Sequence, residues 1–217
     1  MFAMGQPLCT PAQALRRVLD AAAALPVPAT ERVPLDDACG RIAARDLCAR
    51  MDQPPFDRSP LDGYALPSAD TAGAGEETPV TLPVVMKLYA GDAPAAALPA
   101  GCAARIMTGA PLPPGADCVL MQELTDGGEE QVRIYARLQP NANVVFRGED
   151  IAAGAPIAAA GTVLTPAHIG VLAGQGIPDA EAFRPLTVGV LATGSELLDA
   201  GEACATGKIY EANGIQN

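Results

Sequence analysis

The 217-residue sequence contains no tryptophan, and aromatic residues make up only 4% of it. Positive charge is also scarce, because 14 Lys and Arg stand against 25 Asp and Glu, for a formal net charge of −11. Nucleic acids and anionic lipid surfaces are bound by proteins that present a basic face. The shortage of basic residues therefore argues against both nucleic acid and membrane surfaces as partners.

Long apolar runs are lacking too. The apolar stretches are short or interrupted by proline, as in residues 25–28, so none has the length of a membrane-spanning helix. The start does not fit a secretory signal, because Arg16 and Arg17 lie inside a candidate helix rather than before an apolar segment. We therefore expect a cytoplasmic protein.

Patterns typical of zinc sites are missing. The six cysteines form no CxxC pair and match no zinc-ligand spacing, so we expect reduced, partly buried thiols. The single histidine, His168, lies in a mostly apolar run and has no neighbouring ligand type. A structural role is the expectation for it.

Three helices are predicted before residue 175. Residues 10–13 combine a Thr N-cap, a Pro at the first helical position and a Gln at the third, followed by apolar residues at helical spacing. Leu35, Ala38 and Ile42 share one helical face, which predicts a second helix over about residues 35–44. A further helical run is predicted near residues 166–173.

The middle of the chain predicts short strands, because its 21 prolines and 22 glycines favour turns. Candidate strands separated by turns suggest a small barrel or sandwich, with Pro83 marking a bent or edge strand; they are residues 80–82, 84–86, 104–107, 118–121 and 132–136. Residues 186–191 have the composition of a buried strand, and a helix start is predicted after them. A strand followed by a helix is typical of the beginning of an α/β unit.

Residues 55–66, PFDRSPLDGYAL, form the segment richest in chemistry. Two carboxylates and a guanidinium lie on a stretch that Pro55, Pro60 and Gly63 make unsuitable for a regular helix or strand. Such a segment is either a site loop or a polar turn, and its composition leaves both open.

Six segments together resemble the signatures of the MoeA/gephyrin family, whose members insert molybdate into molybdopterin. The first, PPFDRSPLDGYA, is similar to that family's PxFDxSxMDGYA. Five more follow in the family's order, namely RIMTGAP (105–111), VLMQE (119–123), RGED (147–150), ATGSEL (192–197) and IYEAN (209–213). The ordered set covers roughly residues 30–217 and is far more specific than any one motif.

The resemblance implies an α+β multidomain fold. It implies an elongated linker domain built from two separated stretches, with a β-rich, barrel-like domain inserted between them. The truncated start of an α/β molybdopterin-binding domain would follow. The boundaries would be an N-terminal helix and first linker half in 1–50, the inserted domain in 51–144, the second linker half in 145–183, and the α/β start in 184–217.

Site residues follow from the same resemblance. The implied catalytic residues are Asp62, Thr108, Asp150 and Glu196. Cofactor contacts are implied for Ser59, Gly109, Thr193 and Gly194, and Mg²⁺ would be held by Asp62 and Glu196. Each implied catalytic role has a structural alternative: turn residues for Asp62 and Thr108, an ion-paired hinge for Asp150, and a capping box over residues 193–196 for Glu196.

Three positions depart from the family pattern. Pro60 and Leu61 replace the usual Ala and Met beside Asp62, and Ser195 stands where many members carry Asp. The first two reshape the loop without removing its carboxylate. The third puts in doubt any role of that missing Asp in cation binding.

The implied function is insertion of molybdate into adenylylated molybdopterin during molybdenum cofactor biosynthesis. The resemblance further implies a homodimer, with the molybdopterin adenylyltransferase as a possible partner. We expect the 217-residue chain alone to lack insertion activity, because the family's later ligand loops are not in it. The alternative is a non-catalytic scaffold or peptide-binding module, as gephyrin-like members also are.

Overall fold

The structure is a computed structural model that describes residues 9–212 and 214. It divides into two compact units, Met1–Glu31 with Phe183–Asn217, and Arg32–Ala182. Its regular elements in chain order are α1 (Pro11–Ala23), β1 (Thr30–Pro34), α2 (Leu35–Ala38), β2 (Leu47–Cys48), β3 (Gly63–Leu66), β4 (Val80–Leu88), β5 (Ala103–Ile106), β6 (Cys118–Met121), β7 (Gln131–Ile134), β8 (Pro156–Ala158), α3 (Pro166–Gly174), β9 (Asp179–Phe183), β10 (Leu197–Leu198) and β11 (Ile209–Tyr210).

A five-stranded mixed sheet dominates the larger unit, in the order β6-β3-β5-β4-β7. Only the β4–β5 pair is parallel. Strand β3 is fully buried because both faces of the sheet are covered. One face packs around Tyr64 and Leu120, the other around Ala65 and Ile106. The predicted short strands are confirmed. The strand order leaves β6 and β7 at the two edges of the sheet, so the hydrogen bonding between strands does not close into the expected barrel.

Strand β4 passes through the proline that was expected to mark a bent or edge strand. Pro83 pairs with Gln131 of β7, whereas pairing with β5 begins only at Val84. Proline lacks an N–H to donate, so it fits this part of β4, which has one neighbour. A register shift between Val84 and Met86 then bends the strand.

Both edges of the sheet are partly covered by connecting chain. Beside β6, the Val119 N–H donates to the Ala142 carbonyl (3.0 Å), and the Asn143 side chain donates to the Val119 carbonyl (2.8 Å). Asn143 adopts a left-handed backbone (φ 56°), which lets the chain follow the strand closely. Beside β7, Thr125 forms an isolated bridge with Ile134.

A second core joins two stretches that are far apart in the sequence. Strand β1 pairs with β9, β2 pairs with β8 in antiparallel fashion, and α2 and α3 pack near them. The buried residues of this core are Val33, Leu35, Ala38, Ala43, Leu47, Ala158, Leu164, Leu172, Ala180 and Ala182. The two stretches that resemble linker halves therefore share one core, while the four domain boundaries stay predictions.

The helices near this core differ from expectation in one case. Helix α2 ends at Ala38, so the predicted length to residue 44 was wrong. Gly40 turns the chain with φ +80°, and Ala43 then bridges to Ala182. Helix α3 is confirmed, and His168 is structural as expected, because its Nδ1 accepts the Thr165 N–H in a capping box.

The smaller unit confirms the first helix and corrects the last predictions. Helix α1 begins after Thr10 with the expected capping box to Gln13. Residues 186–191 form no strand and are exposed, because no described segment pairs with them. No helix begins at residues 193–196 either. The chain there leads into β10, which pairs in parallel with β11. Among the described helices, none has the length and hydropathy to cross a membrane.

Candidate functional site

The best-defined contact among the predicted site residues joins Asp62 to Thr108. Asp62 Oδ1 accepts two hydrogen bonds from Thr108, one from the backbone N–H and one from the hydroxyl, both at 2.8 Å. Asp62 is exposed, immediately before β3, and Thr108 follows β5, the neighbouring strand. These two bonds use one carboxylate oxygen, and Oδ2 of this exposed residue has no hydrogen bond among the described residues.

The charge state of Asp62 follows from these bonds. The two hydrogen bonds from Thr108, first from its backbone N–H and then from its hydroxyl, hold the pKa of the Asp62 carboxyl below its ordinary value. Desolvation opposes this lowering, and the Arg105 guanidinium adds to it least. Asp62 is therefore an anion at neutral pH. Because the Thr108 hydroxyl donates to Asp62, in this structure it orients the carboxylate and is not free to donate to a ligand.

Two further predicted residues hold the same loops together. The Ser59 N–H donates to the Ala110 carbonyl (3.0 Å), and the Gly109 N–H donates to the Ser59 carbonyl (2.8 Å). Ser59 is completely buried, and its hydroxyl donates to the Leu61 carbonyl. Gly109 has φ +83°, a conformation that glycine adopts easily. The structure thus gives Ser59 and Gly109 backbone-positioning roles, and their ligand contacts stay predictions.

Gly63 sets how closely the Asp62 loop approaches β6. A Cβ on Gly63 would lie 1.9 Å from the Leu120 carbonyl oxygen and 2.9 Å from its carbon. Only a residue without a side chain lets β3 pair with β6 here. The Gly after Asp62 is therefore required by packing, whatever the role of the carboxylate.

Arg105, inside the RIMTGAP segment, is a residue that the sequence analysis did not select. Its guanidinium carbon lies 4.8 Å from the centre of the Tyr64 ring, and its Nη2 donates to the Gln122 side chain. Tyr64 and Arg105 are paired across β3 and β5, which places them on one face of the sheet. The cross-strand register is the signal that could have found it, and the sequence alone does not supply that register.

The RGED turn is held by a carboxylate that the sequence analysis also missed. Asp52 Oδ2 pairs with Arg147 Nε at 2.6 Å, and Asp52 Oδ1 accepts the Ala153 N–H at 2.8 Å. The ion pair in this turn therefore belongs to Asp52. The Asp150 carboxylate is exposed beside a groove formed by α3 and β8, and no hydrogen bond among the described residues joins it to Asp62.

The remaining predicted residues lie in the smaller unit. The Glu196 carboxylate folds over Gly194, because a Cβ on that glycine would lie 2.7 Å from its carbon and both its oxygens. The Glu196 carbonyl accepts the Ile209 N–H (2.9 Å), which begins the β10–β11 pairing. Thr193 is exposed. The capping-box alternative for Glu196 was wrong, since no helix starts there, and its ligand role stays a prediction.

A divalent cation would find few protein ligands in the described part of the chain, where no cluster of three or more His, Cys, Asp or Glu side chains is arranged to hold a metal. Mg²⁺ is nevertheless commonly bound through one or two carboxylates together with substrate phosphates and water. The free Oδ2 of ionised Asp62 fits that kind of shared coordination. Asp62 alone does not form a complete protein cage.

Comparison with known proteins defines the class. The family profile described as "MoeA N-terminal region (domain I and II)" matches residues 9–176. The chain belongs to the MoeA family.

Particular relatives agree with this assignment. The chain is 40% identical over 183 residues to molybdopterin molybdenumtransferase 2 of Mycobacterium tuberculosis, covering 84% of this chain and 45% of the relative. It is 38% identical over 191 residues to molybdopterin molybdenumtransferase of Haemophilus influenzae, covering 87% and 46%. The chain therefore spans about half the length of these relatives.

Solved structures show the same fold. A molybdopterin biosynthesis MoeA protein from Pyrococcus horikoshii OT3 matches with a TM-score of 0.83 at 33% identity. That match covers 97% of this chain and 55% of the other.

Proposed function

We propose that the protein containing this chain inserts molybdate into adenylylated molybdopterin, as a molybdopterin molybdenumtransferase. The observation that carries the proposal is the Asp62–Thr108 pair, in which two separate family motifs meet through two 2.8 Å hydrogen bonds. Relatives with that enzyme name cover most of this chain. Family membership supports a role in molybdenum cofactor biosynthesis, and the adenylylated substrate is the finer part of the proposal.

The proposed reaction requires an anionic group that stays charged while the pyrophosphate link of the adenylylated substrate is hydrolysed. Asp62 meets this requirement, because the Thr108 bonds keep its pKa low and fix the direction of its free oxygen. Mg²⁺, when bound there, supplies charge neutralisation at the substrate phosphates and lowers the pKa of a bound water. The residues of the chain bind and orient the cation and the substrate phosphates: Asp62 offers Oδ2 as a ligand, and Ser59 and Gly109 keep the Asp62 loop in place.

The other parts of the proposal rest on family resemblance. Asp150 and Glu196 would supply further carboxylates, and Thr193 and Gly194 would contact the pterin ligand. We propose a cytoplasmic homodimer, with the molybdopterin adenylyltransferase as a possible partner.

The test is a cofactor-synthesis assay on the natural gene product that contains this chain. The purified protein is incubated with adenylylated molybdopterin, molybdate and Mg²⁺, and the product is read by activation of a molybdenum-dependent apoenzyme. Asp62→Asn should lower product formation about 100-fold or more, because Asn can still accept the Thr108 bonds but carries no charge. A wild-type protein that forms no cofactor would refute the proposed function.

A matched control is available in the same sheet. Asp126 is exposed in the turn before β7, and its Oδ1 also accepts two hydrogen bonds, here both from backbone N–H groups, of Gly128 at 3.2 Å and of Arg133 at 2.9 Å. Asp126→Asn should leave product formation unchanged. If both variants lose activity equally, the effect of Asp62→Asn comes from a general change in the sheet rather than from the site.

A further inference from the structure

Residues 52–58 form backbone hydrogen bonds with several residues of the turn that carries Asp150. The Gln53 carbonyl accepts the N–H groups of both Asp150 and Ile151 at 3.0 Å. The Gly148 N–H donates to the Pro54 carbonyl at 2.9 Å, and Arg58 and Val145 exchange two backbone bonds. These bonds hold the main chain of the turn, and side-chain contacts add to them.

Asp52 is the side chain that grips this turn on both sides of Asp150. Its Oδ2 pairs with Arg147 Nε, three residues before Asp150, and its Oδ1 accepts the Ala153 N–H, three residues after it. The Arg147 N–H is in turn bonded to Asp57 Oδ1 at 2.8 Å. A single carboxylate therefore closes the base of a turn whose tip is exposed.

The fit around Asp52 is close. A Cβ on Gly148 would lie 3.3 Å from Asp52 Oδ1 and 3.4 Å from its carboxyl carbon, and Gly148 has φ +74°. A glycine is needed there both for the left-handed backbone and for the approach of the carboxylate. The Asp52 side chain is 22% exposed and that of Arg147 is 65% exposed, so water reaches the ion pair from the Arg147 side.

We propose that Asp52 is a positioning residue, which acts through Arg147 and Ala153 to fix the direction of the Asp150 carboxylate. This inference rests on the proposed function, in which Asp150 serves the reaction. Asp52 itself contacts no reacting group in this proposal. Asp62, by contrast, is proposed to offer its Oδ2 to the ligand.

Activity measurements on the natural gene product form a double-mutant cycle. Asp52→Asn should lower kcat roughly 10-fold, a usual size for residues that orient a functional side chain, and Asp52→Glu should restore part of the loss. In an Asp150→Asn background, Asp52→Asn should change kcat less than twofold, because its target is already removed. An equal loss in both backgrounds, or wild-type kcat for Asp52→Asn, overturns the proposal.

A second readout does not depend on activity. Amide hydrogen exchange of the 217-residue chain should speed up over residues 147–153 in Asp52→Asn, while residues 108–112, at the Asp62 loop, keep their protection. The control is Asp179→Asn, which removes the partner of Arg32 in a 3.1 Å ion pair of similar exposure. It should leave residues 147–153 unchanged. Faster exchange across the whole sheet in Asp52→Asn would show a general structural role and overturn the proposal.

The two hypotheses fail in different ways. If Asp150→Asn retains wild-type turnover, the proposed role of Asp150 is wrong, and positioning by Asp52 has no functional meaning. If Asp150→Asn loses turnover but Asp52→Asn does not, the proposed function stands and the positioning role alone is refuted.

Discussion

Replacing Gly63 with alanine tests the close approach on which the Asp62 loop depends. The added methyl group would lie 1.9 Å from the Leu120 carbonyl oxygen and 3.1 Å from the Met121 Cα. Both neighbours are backbone atoms of β6, so no flexible side chain can move aside. To admit the methyl group, β3 and β6 must separate, and the pairing of Gly63 with Met121 is lost.

The expected cost is at the upper end of the range for overpacking. Inserting a methyl group into a packed site usually costs 1–3 kcal/mol, and here strand pairing is disturbed as well, so we expect about 3 kcal/mol of lost unfolding free energy. For a chain of this length, that corresponds to roughly 6–12 °C in Tm. Urea unfolding of the 217-residue chain, followed by circular dichroism, measures it directly.

Gly170→Ala is the matched control. Gly170 lies within α3, is exposed, and a Cβ there would meet nothing within 4 Å. Alanine in a helix interior is more favourable than glycine by about 0.5–1 kcal/mol, so this variant should be slightly more stable than wild type. If Gly63→Ala unfolds within about 0.5 kcal/mol of wild type, β3 and β6 are not as close as described, and the argument for Gly63 is wrong.

Three further outcomes are expected. Thr108→Val should raise the pKa of Asp62 toward its ordinary value in a carbon-detected NMR titration, whereas Thr108→Ser should not, because Ser keeps the hydroxyl donor. The pKa of Asp52 is lowered, chiefly by its Ala153 N–H bond and then by Arg147, so its stabilising contribution is present above about pH 4 and is lost as pH falls through the folded-state pKa. The unfolding free energies of wild type and Asp52→Asn should therefore differ at pH 6 and converge toward pH 2, and a constant difference would contradict this. Burial raises the pKa of the Cys118 thiol to about 12, so alkylation at pH 8 followed by mass spectrometry should label exposed Cys204 and leave Cys118 unmodified in the folded chain.

Local sequence signals predicted local structure well. The Thr10 and Gln13 capping box begins α1 as expected, because every atom in that motif lies within four residues. The strand predicted over residues 118–121 coincides with β6. By contrast, the apolar run at 186–191 has strand composition but no described partner, and a strand exists only through its neighbours. The helix expected over residues 35–44 failed for a related reason, since Ala43 is used in a bridge to Ala182.

The residues of the candidate site were selected from the sequence and stay a prediction, and their contacts could not be selected in this way. Motif resemblance selected Asp62 and Thr108, which lie 46 positions apart, yet nothing in their spacing states that one oxygen accepts both bonds. Asp52 was overlooked because its partner Arg147 is 95 positions away and no local pattern links them. Long-range register is set by the packing of the whole sheet, which a single sequence does not encode in readable form.

The covered edges of the five-stranded sheet bear on how the protein behaves at high concentration. An open strand edge offers unpaired N–H and carbonyl groups to another chain and promotes aggregation. Here the Val119 groups on the outer side of β6 are already bonded to Ala142 and Asn143. Asn143 holds the chain against that edge by its left-handed backbone and its side chain. The connection after β7 therefore occupies the backbone groups that another strand would need at Val119, which hinders edge-to-edge association there.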